Sequence, residues 1–188
     1  MIEPFSQASF SSDDTLHAEA LGRHLQHLRQ LRGWSLSRLA SDAGVAKSNL
    51  SRLEQGNGNP TLDTLWRLAS CLEVPFGTLI KPVTTALDDQ GVQVQLIDQG
   101  DSQPAVDVYW MRLDPDVYRL SEAHPAGVHE TVTVISGRLT TGPEHESHTL
   151  GPGQSVTFAA DRPHLYASDN QATSATLTIV YHPPETSR

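Results

Sequence analysis

The apolar residues of this chain change their spacing once, near residue 82, and that change limits the fold more than any other feature. Before it they recur at helical spacing. Leu21, Leu25 and Leu28 share one face of a first helix, which Gly33 can close with a left-handed cap. Ser35 caps a second short helix carrying Leu36, Leu39 and Ala40, ended by Gly44. A third runs from Lys47 with Leu50 and Leu53 inward, and the stretch QGNGNP (Gln55 to Pro60) stops it. Thr61 caps a fourth with Leu62, Leu65, Leu68, Ala69 and Leu72 on one side, and Pro75 to Ile80 forms a fifth. After Lys81-Pro82 the runs GVQVQLI, VDVYWMRL, VHETVTVISG, SVTF and ATLTIVY alternate with period two, separated by Gly, Pro, Asp and Ser. The expected fold class is therefore multidomain, α then all-β, with the strands closing a sandwich or barrel. The expected divisions are an acidic tail over 1–15, a helical domain over 16–81, a linker with the first strand over 82–104, and a β-barrel over 105–184. Pro82 to Asp89 is the expected hinge.

Charge divides the chain at the same place. The net charge is -9 over 188 residues, yet residues 16–82 hold eight Lys or Arg against five Asp or Glu. Residues 83–188 hold five against fourteen, and residues 1–15 hold three acids and no base. A basic block inside an acidic chain fits two domains with different partners, since only a surface facing phosphate gains from concentrated positive charge. The one cysteine, Cys71, excludes an intramolecular disulfide framework and any Cys-only zinc site, and reads as a small core residue. No apolar stretch approaches the ~20 residues that cross a bilayer, and the opening MIEPFSQASFSSDD is acidic where a signal peptide is basic and then apolar. No membrane partner is expected, and the expected location is the cytoplasm.

The turn SDAGVAKSN joins the second and third helices at the steep angle of the unit that lays its second helix in a DNA major groove. With Val45, Leu50 and Leu53 inward, Lys47, Ser48, Ser51 and Arg52 face outward as candidates for contact with base edges. The stretch from LGRHLQHLRQLRGWSLSRLA through LSRLEQG to NPTLDTLWRLASCLEV resembles the five-helix DNA-binding domain of Cro and the phage repressors, the Xre-type helix-turn-helix. The resemblance implies double-stranded operator DNA as partner, with Asn49, Asn59 and Thr61 on phosphates and Arg38 completing the interface. Taken singly, each of these side chains is better explained as solvated; together on this frame they mark a surface. One departure is Ala46, where the family carries Ser or Thr as the cap of the third helix. A missing cap costs about 0.5–2 kcal/mol.

In VHETVTVISG, Val128, Glu130, Val132 and Val134 share a face while His129, Thr131 and Thr133 share the other. A carboxylate in an apolar row must be neutralised, paired with a cation or bound to a metal. His124 precedes Glu130 by six residues, and His164 opens a later strand in DRPHLY. His124, Gly127, Glu130 and Gly137, followed by LGPGQSVTF and Pro163-His164, resemble the paired motifs of the cupins, small β-barrels in which His and Glu from adjacent strands converge on a metal. Cupin enzymes carry two histidines one residue apart where this chain has Glu122-Ala123-His124. The resemblance implies His124, Glu130 and His164 as ligands of one divalent ion, with Glu122 or water as the fourth; zinc, iron and manganese all accept such a set. Two other readings stay open: both histidines bonded to Glu130 inside a plain core, or direct capture of an organic ligand.

Trp110, Arg112, Glu130, His164 and Tyr166 are the candidates for binding a small-molecule effector, and the polar members suit an anionic or zwitterionic one. The alternation in VDVYWMRL does not itself say which face turns inward. The pairing of the two domains implies a bacterial one-component transcriptional regulator and no enzyme, acting as a homodimer because one helix reads too few base pairs alone. The alternative is a metal-dependent cupin oxygenase or isomerase tethered to a DNA-binding module.

Overall fold

Leucine spacing and local caps define the first half. In the computed structural model, which describes residues 12–100 and 102–182, the helices are α1 (Ser12–Leu31), α2 (Leu36–Asp42), α3 (Lys47–Glu54), α4 (Leu62–Cys71) and α5 (Phe76–Ile80). Residues 1–11 of the expected tail lie outside the described residues, and α1 begins at Ser12, within it. Gly33 stops α1 at φ 65°, letting the Trp34 amide turn back to the Arg29 carbonyl at 3.1 Å. Ser35 and Thr61 cap α2 and α4 by accepting from the Arg38 and Thr64 amides. Ala46 has no side chain able to do this for α3. Leu25, Leu39, Leu50, Leu65, Leu68, Leu72 and Leu79 are fully buried between the helices.

One interaction in this core has no periodic signature. Arg29 and Glu54 are both buried, and the guanidinium donates to both carboxylate oxygens, at 2.6 and 2.7 Å. A third donor of Arg29 reaches the Trp34 carbonyl at 2.8 Å, so the pair fixes the end of α1, its following turn and the end of α3 together.

The second half forms two sheets. β1 (Leu87–Asp89), β2 (Val92–Gly100), β3 (Ala105–Leu113), β10 (Thr173–Tyr181), β5 (Val128–Ser136) and β8 (Ser155–Ala159) make one, in the order β1-β2-β3-β10-β5-β8. β4 (Tyr118–Ser121), β9 (His164–Ser168), β6 (Leu139–Pro143) and β7 (His148–Leu150) make the other, in the order β4-β9-β6-β7. All pairings are antiparallel. Alternation buries Val128, Glu130, Val132 and Val134 of β5, and Thr173, Ala175, Leu177 and Ile179 of β10.

The segment expected to be a hinge is fastened. It contains β1, paired with β2, and its Thr84 and Thr85 hydroxyls meet the two ring nitrogens of His17 at 3.0 and 3.1 Å. His24 reaches the Thr78 carbonyl at 2.8 Å, so two histidines of α1 hold that helix to later chain. Buried Asp107 accepts from the Gly77 amide (2.8 Å), Gln99 (3.0 Å), Tyr109 (2.9 Å) and Tyr181 (2.7 Å), which ties α5 to three strands. Gly77 is required here because a Cβ would stand 2.5 Å from the Asp107 carboxylate. The buried apolar residues of both halves form one contiguous cluster.

Two stability effects follow. Glu54→Ala leaves the Arg29 charge buried without its partner and lowers unfolding free energy by about 3–5 kcal/mol in urea titrations. Ala46→Ser supplies the missing cap and raises it by about 1 kcal/mol in the same assay.

Candidate functional site

Two sites arise on this frame, one on α3 and one inside the barrel. On α3, Leu50, Leu53 and Glu54 are buried, so Lys47, Ser48, Asn49 and Arg52 stand exposed on the remaining arc, with Ser51 half-buried. Arg52 donates to the Asn57 carbonyl at 3.2 Å, which links the exposed face to the loop before α4. Between α3 and that loop lies a groove of about 370 Å³ bordered by Asn49, Arg52, Asn59 and Thr61. The Thr61 hydroxyl is committed to capping α4, leaving its backbone as the part free to meet a phosphate. Arg38 is exposed, with its guanidinium 4.1 Å over the Trp34 ring and 3.6 Å from Asp42.

Inside the barrel, β5 carries Glu130 into the apolar interior and β9 brings His164 from the opposite sheet. His124 follows β4 in a loop whose position is fixed by its own amide, which donates to the Ala160 carbonyl at 2.9 Å. His124 Nε2 lies 2.9 Å from Glu130 Oε1, and His164 Nε2 lies 3.7 Å from the same oxygen. Tyr166 donates its hydroxyl to the other oxygen, Oε2. Ligand-type atoms of His124, Glu130 and His164 all fall within 4.8 Å of one another.

The electrostatics fit a cation. His164 Nδ1 lies 2.9 Å from the Arg162 carbonyl, a partner that can only accept. That nitrogen therefore holds the proton and Nε2 presents a lone pair. Nε2 is buried and has no hydrogen-bond partner among the described residues. Burial, above all, keeps the His164 pKa below the usual histidine value, outweighing the pull of Glu130. Burial would raise the Glu130 carboxyl, but the His124 hydrogen bond, the histidine charges and the Tyr166 hydroxyl together hold it below its ordinary value. A carboxylate oxygen, an imidazole bonded to it and an orphaned imidazole lone pair form a donor set suited to a divalent ion.

Three residues expected in this group lie elsewhere. Glu122 follows the buried Ser121 and so turns outward, where it is exposed and 3.7 Å from Arg67. In β3 the odd-numbered residues Asp107, Tyr109, Met111 and Leu113 are buried, so Trp110 and Arg112 occupy the outer face. Arg112 is paired there with Asp114 at 3.3 Å. Either face of β3 would carry one charge inward, Asp107 or Arg112; Asp107 finds donors there from Gly77, Gln99, Tyr109 and Tyr181, and Arg112 stays with Asp114 outside.

The cavity beside the triad, about 40 Å³, is bordered by residues that the sequence did not single out. Arg119 of β4 donates to Asp89 at 2.7 Å and to Asp63 of α4 at 2.8 Å. Asp89 also accepts the amide of Leu62 at 3.1 Å, adding a second cap to α4. The Trp66 ring of α4 stacks on His124 with centroids 3.7 Å apart and on Phe76 at 4.6 Å. The helical domain thus closes the barrel mouth. Arg119 lies in β4, which is not among the runs of period two read from the sequence, and Trp66 stood out only as the aromatic residue of α4.

Comparison with known proteins agrees with both domains. Residues 25–79 match the helix-turn-helix family and residues 109–181 match the cupin domain. The HTH-type transcriptional regulator SutR of Escherichia coli (strain K12) is 35% identical over 172 residues, which cover 88% of this chain and 97% of SutR. The HTH-type transcriptional regulator PuuR of the same strain is 26% identical over 181 residues, 89% of this chain and 96% of PuuR. The crystal structure of an HTH_3 family transcriptional regulator from Vibrio cholerae superposes with a TM-score of 0.78 at 26% identity, covering 92% of this chain and 99% of that one. With α3 offered outward on one domain and a barrel closed over buried Glu130 in the other, the chain belongs to the HTH-type transcriptional regulators that carry a cupin domain.

Proposed function

We propose that this regulator is a one-component sensor, in which the cupin barrel binds a small ligand or metal and the helix-turn-helix domain reads operator DNA as part of a homodimer in the cytoplasm. The observation that carries the reading is the orphaned Nε2 of His164 beside an ionised, fully buried Glu130. A buried polar atom left unpaired costs about 1–3 kcal/mol, so an interior built this way gains when something fills it. His124, Glu130 and His164 are the residues that would hold a divalent ion, and such an ion would supply an electrophilic anchor for an effector's oxygen or nitrogen. Tyr166 holds Glu130 in place through the oxygen turned away from the histidines. Arg162 holds His164 through its backbone. Both work as orienting partners of the ligand set. The regulators to which the chain is similar favour a regulatory role for the barrel over turnover of a substrate.

On DNA, Arg52 and Lys47 are proposed to bond guanine edges, with Ser48 and Ser51 adding less selective contacts, while Asn49, Asn59 and the Thr61 backbone meet phosphates. Two copies spaced about 34–36 Å apart would read a pseudo-palindrome.

Arg52→Ala is expected to cost about 1–3 kcal/mol on the operator and little on random duplex, whereas Asn59→Ala weakens both alike; fluorescence anisotropy with both duplexes measures this. Equal losses on the two duplexes for both variants would overturn these roles. Isothermal titration with Mn(II) or Zn(II) alone is expected to give one site per chain, and Glu130→Gln to lower its affinity on the order of 100-fold with DNA binding retained. Affinity should fall as pH falls, because protons compete for the imidazole lone pairs. Absence of metal uptake by the native protein would sink the metal assignment.

A further inference from the structure

The barrel mouth is closed by two side chains of the DNA-binding domain that together look like a ligand. Asp63 and Trp66 stand three residues apart on α4 and so share a face. Asp63 gives a carboxylate to Arg119, and Trp66 lays its ring on His124. Behind the indole is the cavity of about 40 Å³, room for an ion or a few waters but for no organic molecule. In front of it is an interdomain cleft of about 290 Å³, and Trp66 and His124 border both spaces. Withdrawal of the indole joins them and adds its own volume, which brings the pocket into the range of small-ligand sites, about 300–1,000 Å³.

What fills the opened pocket must replace what α4 withdraws. Arg119 is largely buried, with side-chain exposure of 11%. Its arm toward Asp89 stays satisfied, but the arm toward Asp63 would be left without an acceptor. The His124 ring would likewise lose its stacking partner. A molecule with a carboxylate on one side and an aromatic ring on the other repairs both losses; an amine of the same shape would set a second cation beside Arg119.

We propose that the effector is a small aromatic carboxylate that takes the places of the Asp63 carboxylate and the Trp66 indole, so that its binding lifts α4 off the barrel. It binds the opened arrangement and competes with the closed one, which is the difference in affinity that a ligand-driven shift requires. Metal in the triad and carboxylate at Arg119 occupy different atoms of one compartment. The inference rests on the barrel being the sensor.

Phenylacetate and phenethylammonium serve as matched probes with the full-length protein, read by tryptophan emission and by isothermal titration. Phenylacetate is expected to shift the emission of the native protein and to leave that of Trp66→Phe unshifted. Asp63→Asn keeps the indole and the fold while weakening the internal competitor, and is expected to bind phenylacetate about tenfold more tightly. Arg119→Gln is expected to lose phenylacetate binding. Preference for phenethylammonium, or no gain in phenylacetate affinity for Asp63→Asn, overturns the proposal. A protein that takes up metal yet ignores phenylacetate in every variant refutes this inference and leaves the sensor reading standing; one that takes up neither refutes this inference and the metal assignment together.

Discussion

A single buried carboxylate, Asp107, sets the geometry on which the rest depends. Its four donors come from α5, β2, β3 and β10, so one side chain joins the last helix of the DNA-binding domain to the floor of the barrel. Burial foremost, with Asp107 adding to it, pushes the Tyr109 and Tyr181 phenols well above their ordinary values, which keeps both protonated as donors. Tyr181 also accepts the Phe76 amide at 3.1 Å and thereby holds the start of α5 a second time. A negative charge in such a place is tolerable because both of its oxygens accept, Oδ2 from Gly77, Tyr109 and Tyr181 and Oδ1 from Gln99.

With α5 held at the floor, α4 is carried across the mouth. The contacts there differ in kind from those at Asp107. Of the ion pairs there, Arg119 and Asp89 are largely buried but Asp63 is within reach of water, Glu122 and Arg67 are farther apart at 3.7 Å, and the aromatic stack is a packing contact without a directed bond. The two attachments therefore have unequal strength. One end of the interdomain seam is bolted by directed bonds to a buried charge, while the other rests on groups that a ligand can imitate. The proposed sensor would use this inequality, since a seam equally strong along its length would transmit nothing.

Much of this was legible in the sequence because burial and spacing act locally. The five helices follow from leucine spacing and from Ser35, Thr61 and Gly33, and the carboxylate in the apolar row of β5 announced Glu130 directly. His124 and His164 were found through a resemblance, and the barrel then brought them together across its two sheets. Period two alone cannot say which face of a strand is inside when both carry polar residues, so the facing of β3 stayed open until the structure turned Trp110 and Arg112 outward. Glu122 entered only through the resemblance, as the residue standing where cupin enzymes carry a second histidine, and here it lies exposed just past the end of β4, near Arg67. Arg29 with Glu54, Asp107 with Gly77, and Arg119 with Asp63 were illegible because each pair joins residues at least 25 positions apart.

The missing side chain at Gly77 has a consequence for how such proteins can be recombined. Domain grafting assumes that a reader and a sensor meet at a neutral boundary where any joint will serve. Here the boundary is keyed: the tooth is Asp107 and the slot is an atom that residue 77 lacks. A hybrid made by cutting at the sequence break near residue 82 would carry the slot from one parent and the tooth from another. Successful chimeras of this architecture should inherit α5, β3 and β10 from a single parent, whatever the origin of the remainder.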